Sequence, residues 1–295
     1  MTIRPRRSVL YMPGSNARAL EKAKTLSTDA VILDLEDSVA PDAKETARDQ
    51  VIAVAKAGGF GPREVVIRVN SLAGPWGTAD LEAAAGVAPD AVLIPKVSSP
   101  EDVYAANAVL DRLGAPESVK IWAMFETPLA VLEAGAIAAA AATKEGRRLS
   151  VFILGTNDLA KETRARFVAG RAPMLAWLTT AVAAGRAYGL DVIDGVYNNL
   201  SDADGFIAEC EQGRDLGMDG KTLIHPNQLE GANRIFSPSE AEVAQAEKIL
   251  AAFALPENAS KGVISLDGRM VERLHAEMAE RTVAIARAIA AASAL

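Results

Sequence analysis

Short apolar runs rich in β-branched residues recur along the chain. Each ends in polar or Gly/Pro residues and is followed by a helix-length segment rich in Ala and charge. The runs cover residues 8–12, 30–35, 64–69, 91–97, 121–125, 151–154, 191–196 and 221–224. Their starts lie about 20 to 40 residues apart, the length of one strand, one crossover helix and two loops. The alternation predicts βα units, and eight of them span the length of a (β/α)8 TIM barrel, an α/β fold. A doubly wound open sheet is the runner-up. Its usual Gly-rich dinucleotide turn is missing, because Tyr11-Met12-Pro13-Gly14-Ser15-Asn16 is not GxGxxG.

Helix signals support this division. Ser15 or Asn16 precedes Ala17-Arg18-Ala19-Leu20-Glu21-Lys22-Ala23, which reads as a capped amphipathic helix. The expected organisation is a catalytic barrel over 1–232 and a C-terminal helical extension, or lid, over 233–295. In Ser237-Pro238-Ser239-Glu240 the first Ser is placed to cap a helix, with Pro at its first position and Glu at its third, running to about residue 253. A loop over 255–269 with Pro256, Gly262 and Gly268 follows, then an Ala-rich helix to the C-terminus. A barrel closes without such a tail, so the tail is expected to be a lid, an oligomerisation arm or both.

Composition narrows the partners. With 50% hydrophobic and 23% charged side chains, 295 residues make an ordinary globular chain with ample material for a core. The 31 basic against 38 acidic residues leave a net charge of -7, which disfavours nucleic acid or an anionic membrane as partner and favours a small molecule. One cysteine, Cys210, rules out an intramolecular disulfide and lies in a helical stretch, where it reads as core. The apolar stretch before Pro13 is too short for a signal sequence. No uncharged run of about 18 residues exists, since 135–142 is bounded by Glu133 and Lys144. The expected location is cytoplasmic.

In a TIM barrel, chemistry sits at the C-terminal ends of the strands. Here nearly every strand end carries a polar group: Asp34-Leu35-Glu36-Asp37, Arg68-Val69-Asn70, Pro95-Lys96, Glu126-Thr127-Pro128, Thr156-Asn157-Asp158 and His225-Pro226-Asn227. Glu126 and Asp158 follow neighbouring strands, and two hard oxygen donors suit Mg2+ (or Mn2+), with water and substrate completing the shell. The plainer reading has each of them capping a helix. Arg68 can reach into the mouth and grip a carboxylate, or pair with Glu36 or Asp37, which would hold it in place. Alternation puts Asp34 and Glu36 on one face, while Asp37 turns toward the waters of the metal. Lys96 can bind an anion, pair with a carboxylate or, as a rival mechanism, form a Schiff base. His225 is either an acid/base or structural.

Several of these segments resemble one family. Arg7-Ser8-Val9-Leu10-Tyr11-Met12-Pro13-Gly14-Ser15, Asp34-Leu35-Glu36-Asp37-Ser38-Val39, Ile67-Arg68-Val69-Asn70, Ile94-Pro95-Lys96, Glu126-Thr127-Pro128, Gly155-Thr156-Asn157-Asp158-Leu159 and Lys221-Thr222-Leu223-Ile224-His225-Pro226 occur in order. Together they resemble the citrate lyase β-subunit-like branch of the HpcH/HpaI aldolase superfamily, which includes malyl-CoA and citramalyl-CoA lyases.

The resemblance implies Mg2+ on Glu126 and Asp158, with Glu126 also meeting substrate, Arg68 orienting the 2-oxo acid portion, and a CoA thioester as substrate. Leu266-Asp267-Gly268-Arg269-Met270 is similar to the family segment whose Asp enters a neighbouring subunit's site as acid/base. That implies Asp267 as a catalytic group in a homo-oligomer, a trimer or hexamer. Without the resemblance, Asp267-Gly268 reads as a plain turn. Arg7, Arg18 and Lys22, with the start of the first helix, would meet the CoA nucleotide. The implied reaction is Mg2+-dependent C–C cleavage of malyl-CoA or citramalyl-CoA to an acyl-CoA and glyoxylate or pyruvate. A malyl-CoA thioesterase and a citrate lyase β subunit working on a carrier-bound thioester are the alternatives.

Overall fold

The computed structural model describes residues 3–293. Within them the expected runs become the parallel strands β1 (Ser8–Pro13), β2 (Ala30–Asp34), β3 (Glu64–Arg68), β4 (Ala91–Ile94), β5 (Lys120–Phe125), β6 (Leu149–Leu154), β7 (Asp191–Asp194) and β8 (Gly220–Leu223). Each pairs with the next, and β8 returns to β1, so the barrel is closed and the open-sheet alternative is excluded. The helices α1 (Ala17–Ala23), α2 (Lys44–Ala57), α3 (Gly77–Val87), α4 (Pro100–Arg112), α5 (Pro128–Leu132), α6 (Ala134–Ala139), α7 (Thr156–Thr163), α8 (Leu175–Ala187) and α9 (Ala203–Asp215) lie between strands, and α10 (Leu229–Ile235) follows β8. No helix among the described residues is long and apolar enough to cross a membrane.

Strand side chains alternate between two buried faces. Val9, Ala30, Ile32, Val66, Leu93, Trp122, Met124 and Ile153 belong to one interior cluster, while the intervening Val31, Leu33, Ile67 and Val92 are equally buried on the other face. Burial on both faces is why the runs read as continuous apolar stretches. At the N-terminal end of the strands, Arg6 fills the barrel. Its guanidinium donates to Glu64 at 2.7 and 2.8 Å, bonds Asp191, and lies 5.3 Å from the centre of the Trp122 ring. Toward α9, Lys221 donates to Glu209 at 2.7 Å and Asp194 at 3.1 Å, and Arg171 donates to Asp194 at 2.7 Å. Cys210 is buried beside this cluster, and burial pushes its thiol up to about 12, which leaves it inert.

The chain divides into two compact units, one spanning Arg6–Arg234 and the other built from Ile235 onward with the first few residues. The second unit contains α11 (Glu240–Ala254), the antiparallel strands β9 (Val263–Leu266) and β10 (Arg269–Glu272), and α12 (Arg273–Ser293). Ala246, Ala279 and Val283 form one cluster between the helices. Phe253, Ile264, Val271 and Ala276 form another that includes the hairpin.

Two local expectations are corrected here. The cap of α11 is Ser239 rather than Ser237, because Glu242 reciprocates with Ser239 in a capping box, and Pro238 therefore lies outside the helix. The expected loop over 255–269 contains one side of a hairpin. Asp267 and Gly268 both have positive φ, 52° and 74°, the signature of a two-residue I′ turn. At the first helix it is Asn16 that caps, accepting from the Ala19 N–H at 3.1 Å. The final stretch of the helix expected to reach the C-terminus, residues 294–295, lies outside the described residues.

The Lys221 cluster generates a stability prediction. Burial alone would raise the Asp194 pKa, but the Lys221 and Arg171 charges outweigh it and hold the carboxyl below its ordinary value. The stability this contributes is present above the unfolded value of about 3.9 and is lost as pH falls through the lower folded value. Lys221→Met strands buried carboxylates, so urea denaturation should show a loss of about 3–5 kcal/mol. Acid unfolding of the variant should begin at higher pH than in the parent.

Candidate active site

The strand alternation that fills the barrel with aliphatic side chains delivers polar ones at its C-terminal end. Tyr11, Asp34, Arg68, Glu126, Asp158 and Thr222 line a cavity of about 310 Å³ there. A neighbouring cavity of about 430 Å³ shares Thr156, Val196 and Asn198 with it. The charged groups of that second cavity are already matched, Arg171 to Asp194, Glu209 to Lys221 and Asp202 to the Tyr197 hydroxyl. The smaller one is therefore where chemistry is placed.

Asp34 and Arg68 are level with each other in the β2–β3 register. The guanidinium donates through Nε and Nη2 to the two Asp34 oxygens at 2.6 and 2.7 Å. Its Nη1 lies 2.8 Å from Glu36 and 3.4 Å from Asp37, and the group stacks 4.8 Å from the centre of the Tyr11 ring. The expected pairing with Glu36 and Asp37 is present, but the bidentate edge is committed to Asp34. A substrate carboxylate would meet the Nη end instead. The strand-end reading noted Asp34 but not that it is the partner of Arg68, and it gave Tyr11 no place in the site. Counting parity back from Arg68 across the paired strands would have found that pairing. Burial pushes the Glu36 carboxyl up to about 7 despite Arg68, with Asp37 adding to the rise.

Glu126 and Asp158 converge on one point, and the ammonium of Lys96 marks it. Lys96 Nζ is 2.9 Å from Asp158 Oδ1 and 4.0 Å from Glu126 Oε1, and the Lys96 backbone N–H donates to Glu126 Oε1 at 2.8 Å. The capping alternative does not hold for either carboxylate. Thr127 caps α5, accepting from the Ala130 N–H at 3.0 Å, and Gly155 occupies the cap position of α7. Burial pushes Glu126 up to about 7, against the lowering effect of Lys96. Burial would lower the Lys96 pKa, but the hydrogen bond to Asp158 and the Glu126 charge more than reverse this. A Schiff-base lysine is a desolvated, unpaired amine, whereas Lys96 is partly exposed and ion-paired to Asp158.

The donor set fits a divalent cation. Two hard carboxylates share one cation position, and around the mouth Asp34, Glu36, Asp37, Glu126 and Asp158 face only Arg68 and Lys96, five carboxyls against two cations. Among the described residues no group of three or more His, Cys, Asp or Glu could hold a metal, so water or substrate would complete the shell.

The remaining expected residues are spread out. Arg7 sits at the N-terminal end of β1, donating to Asp29 at 2.8 Å, at the opposite end of the strands from Arg68. It cannot join Arg18 and Lys22, which are exposed on α1 beyond the C-terminal end of β1. His225 Nδ1 accepts from the Asn227 N–H at 3.2 Å, a structural cap. Asn70 is likewise structural, bonding Lys44 and Asp80. Asp267 is exposed at the hairpin tip in the second unit, where it pairs with Lys248.

The closed parallel barrel thus carries an arginine and a carboxylate pair at the C-terminal ends of its strands. The HpcH/HpaI aldolase/citrate lyase model matches residues 7–226, and the chain belongs to that family. The chain is 49% identical over 287 residues to a (3S)-malyl-CoA thioesterase of Cereibacter sphaeroides, covering 97% of this chain and 96% of the relative. It is 32% identical over 274 residues to the citrate lyase subunit beta of Escherichia coli, covering 91% and 89%. Among solved structures, CitE from Mycobacterium tuberculosis in complex with magnesium, acetoacetate and coenzyme A matches with a TM-score of 0.75 at 27% identity, covering 96% of this chain and 98% of that one.

Gly155 provides a test of the carboxylate geometry. A Cβ there would fall 2.4 Å from Glu126 Cβ and 2.6 Å from its Oε2, so the carboxylate must shift. Gly155→Ala is expected to lower kcat/KM by about 100-fold, the scale of a misplacement near 1 Å. A steady-state assay checks this alongside thermal melting, where overpacking should cost about 1–3 kcal/mol.

Proposed function

We propose that this chain acts on a malyl-CoA-type 3-hydroxyacyl-CoA thioester in a Mg2+-dependent reaction, with thioester hydrolysis as the first reading. The observation that carries it is the convergence of Glu126 and Asp158 on one cation position beside Arg68. The 49% identity to a malyl-CoA thioesterase over nearly the whole chain favours hydrolysis. C–C cleavage, the reaction implied first by the motifs, is the second reading. It draws support from the citrate lyase relatives.

Glu126 and Asp158 would hold the ion, which when bound supplies Lewis-acid polarisation to substrate oxygens. The Nη end of Arg68 orients the substrate carboxylate, and Asp34 fixes the guanidinium so that no reorganisation is needed on binding. Arg18 and Lys22, exposed on α1, meet the phosphates of the CoA nucleotide. Asp267 serves as the acid/base. In cleavage the substrate hydroxyl gives its proton to Asp267, the C–C bond breaks to a 2-oxo acid, and Asp267 returns the proton to the carbon of the resulting acyl-CoA enolate. In hydrolysis water adds to the thioester carbonyl and CoA leaves as the thiol.

The two readings differ in product. Malyl-CoA and citramalyl-CoA should be assayed with Mg2+ and with EDTA, following free thiol and 2-oxo acid separately. Hydrolysis gives Mg2+-dependent thiol and no 2-oxo acid, while cleavage gives 2-oxo acid and no thiol. Activity confined to carrier-bound thioesters would point to the citrate lyase β type of reaction instead.

Asp267 belongs, on this reading, to the site of a neighbouring copy in a trimer or hexamer. On the same unit Met270, Leu274 and Met278 are 69, 49 and 63% exposed, an apolar face suited to a partner. Mixing Asp267→Ala with Glu126→Ala subunits should then restore activity that neither has alone. No recovery after proven subunit exchange would mean that each site is built within one chain.

A further inference from the structure

We propose that Lys96 is an internal counter-ion of the cation site: its ammonium holds Glu126 and Asp158 in place while no metal is bound, and it withdraws when a divalent cation enters. This inference rests on the reading of Glu126 and Asp158 as the metal-binding pair. Beyond that reading, it assigns a third residue the task of setting when, and how tightly, the metal binds.

Position comes first. The ammonium lies within reach of one oxygen of each carboxylate, at 2.9 and 4.0 Å, so ammonium and metal would compete for the same negative charge. One ammonium this close cannot share that space with a divalent ion without strong repulsion. The backbone makes this placement deliberate. Lys96 is one of the few non-glycine residues with positive φ, 54°, and this turn aims its N–H at Glu126 while its side chain runs to Asp158. One residue thus grips both carboxylates by different groups.

Exposure then decides which partner can move. The Glu126 side chain is 2% exposed and Asp158 20%, whereas Lys96 is 39% exposed. The carboxylates are the more buried partners, and the lysine, with four rotatable methylenes, can carry its ammonium outward into water. Loss of the ammonium leaves the backbone N–H on Glu126, so that oxygen stays oriented after the exchange. The device has two consequences. Without metal, the repulsion between two neighbouring carboxylates is reduced by the ammonium, and they remain in register. With metal, part of the binding energy goes into displacing Lys96, so affinity is weaker than the carboxylate pair alone would give.

Calorimetric titration of Mg2+ alone into EDTA-treated, desalted full-length protein tests this without any activity readout. Wild type, Lys96→Met and Lys96→Gln are compared, with Glu126→Gln as the control for binding at this site. The Gln variant keeps the test available if the Met variant does not fold, which circular dichroism reports. Removing the ammonium should tighten the Mg2+ dissociation constant by about tenfold or more. The metal-free variants should also melt below metal-free wild type, and saturating Mg2+ should narrow that gap. Equal or weaker Mg2+ binding by folded variants, with wild type still binding, would overturn the counter-ion role and leave the metal reading standing. If neither wild type nor the variants bind Mg2+, the metal reading itself fails, and this inference fails with it.

Discussion

A guanidinium inside a strand barrel is cut off from water, so its counter-charge has to come from the strand beside it. Asp34 lies level with Arg68 in the β2–β3 register and accepts two of its N–H groups. The same carboxylate also accepts the N–H groups of Glu36 and Ser38 and the Ser38 hydroxyl. The segment after β2 is thereby wound around Asp34, which puts Glu36 and Asp37 on the far edge of the guanidinium. A buried pair of this kind adds little net stability. What it provides is direction, since the plane of Arg68 is set by Asp34 on one edge and by the Tyr11 ring beneath it.

Three charged clusters of the barrel unit, around Arg6, around Lys221 and at the mouth, differ in how their charges sum. Beneath the interior core, Arg6 answers two carboxylates and stacks on Trp122. On the helix side, Lys221 and Arg171 balance Asp194 and Glu209 two against two, deep in the protein. Those arrangements hold strands and helices together. Among the described residues, five carboxyls meet two cations at the mouth, and, separately from that excess, burial pushes Glu36 and Glu126 up to about 7. An unbalanced, partly open cluster at the C-terminal strand ends is what distinguishes the candidate site from the other two.

Much of this was legible in the chain because the barrel imposes a simple rule: strands buried on both faces are continuous apolar runs, and the residues that end them are the ones at the mouth. Arg68, Glu126, Asp158 and Lys96 were found that way. What escaped depends on information that a run does not carry. Asp34 as partner of Arg68 needs the register between strands. The left-handed turn at Lys96 is invisible in Pro95-Lys96-Val97, since lysine has no preference for it. Arg7 was set beside Arg18 by nearness in sequence, yet β1 runs between them and carries them to opposite ends of the barrel. The 263–272 hairpin was hidden because Pro256, Gly262 and Gly268 outweighed two four-residue strands, too short to show alternation clearly.

The charge excess also bears on how a reaction could begin. A malyl-CoA-type substrate brings a carboxylate and phosphates, and a mouth with more carboxyls than cations repels it. Arg68 alone cannot reverse this, because its charge is largely spent on Asp34 and Glu36. Under the proposed reading, a divalent cation held by Glu126 and Asp158 would offset part of that negative charge at the point where the substrate oxygens bind, which favours an order of metal first, anion second. The Nη1 edge of Arg68, which Glu36 and Asp37 share, would then meet a substrate that the cation helps to attract. Its part is to choose the orientation of the carboxylate, while the bulk of the attraction comes from the cation that the carboxylate pair is built to hold.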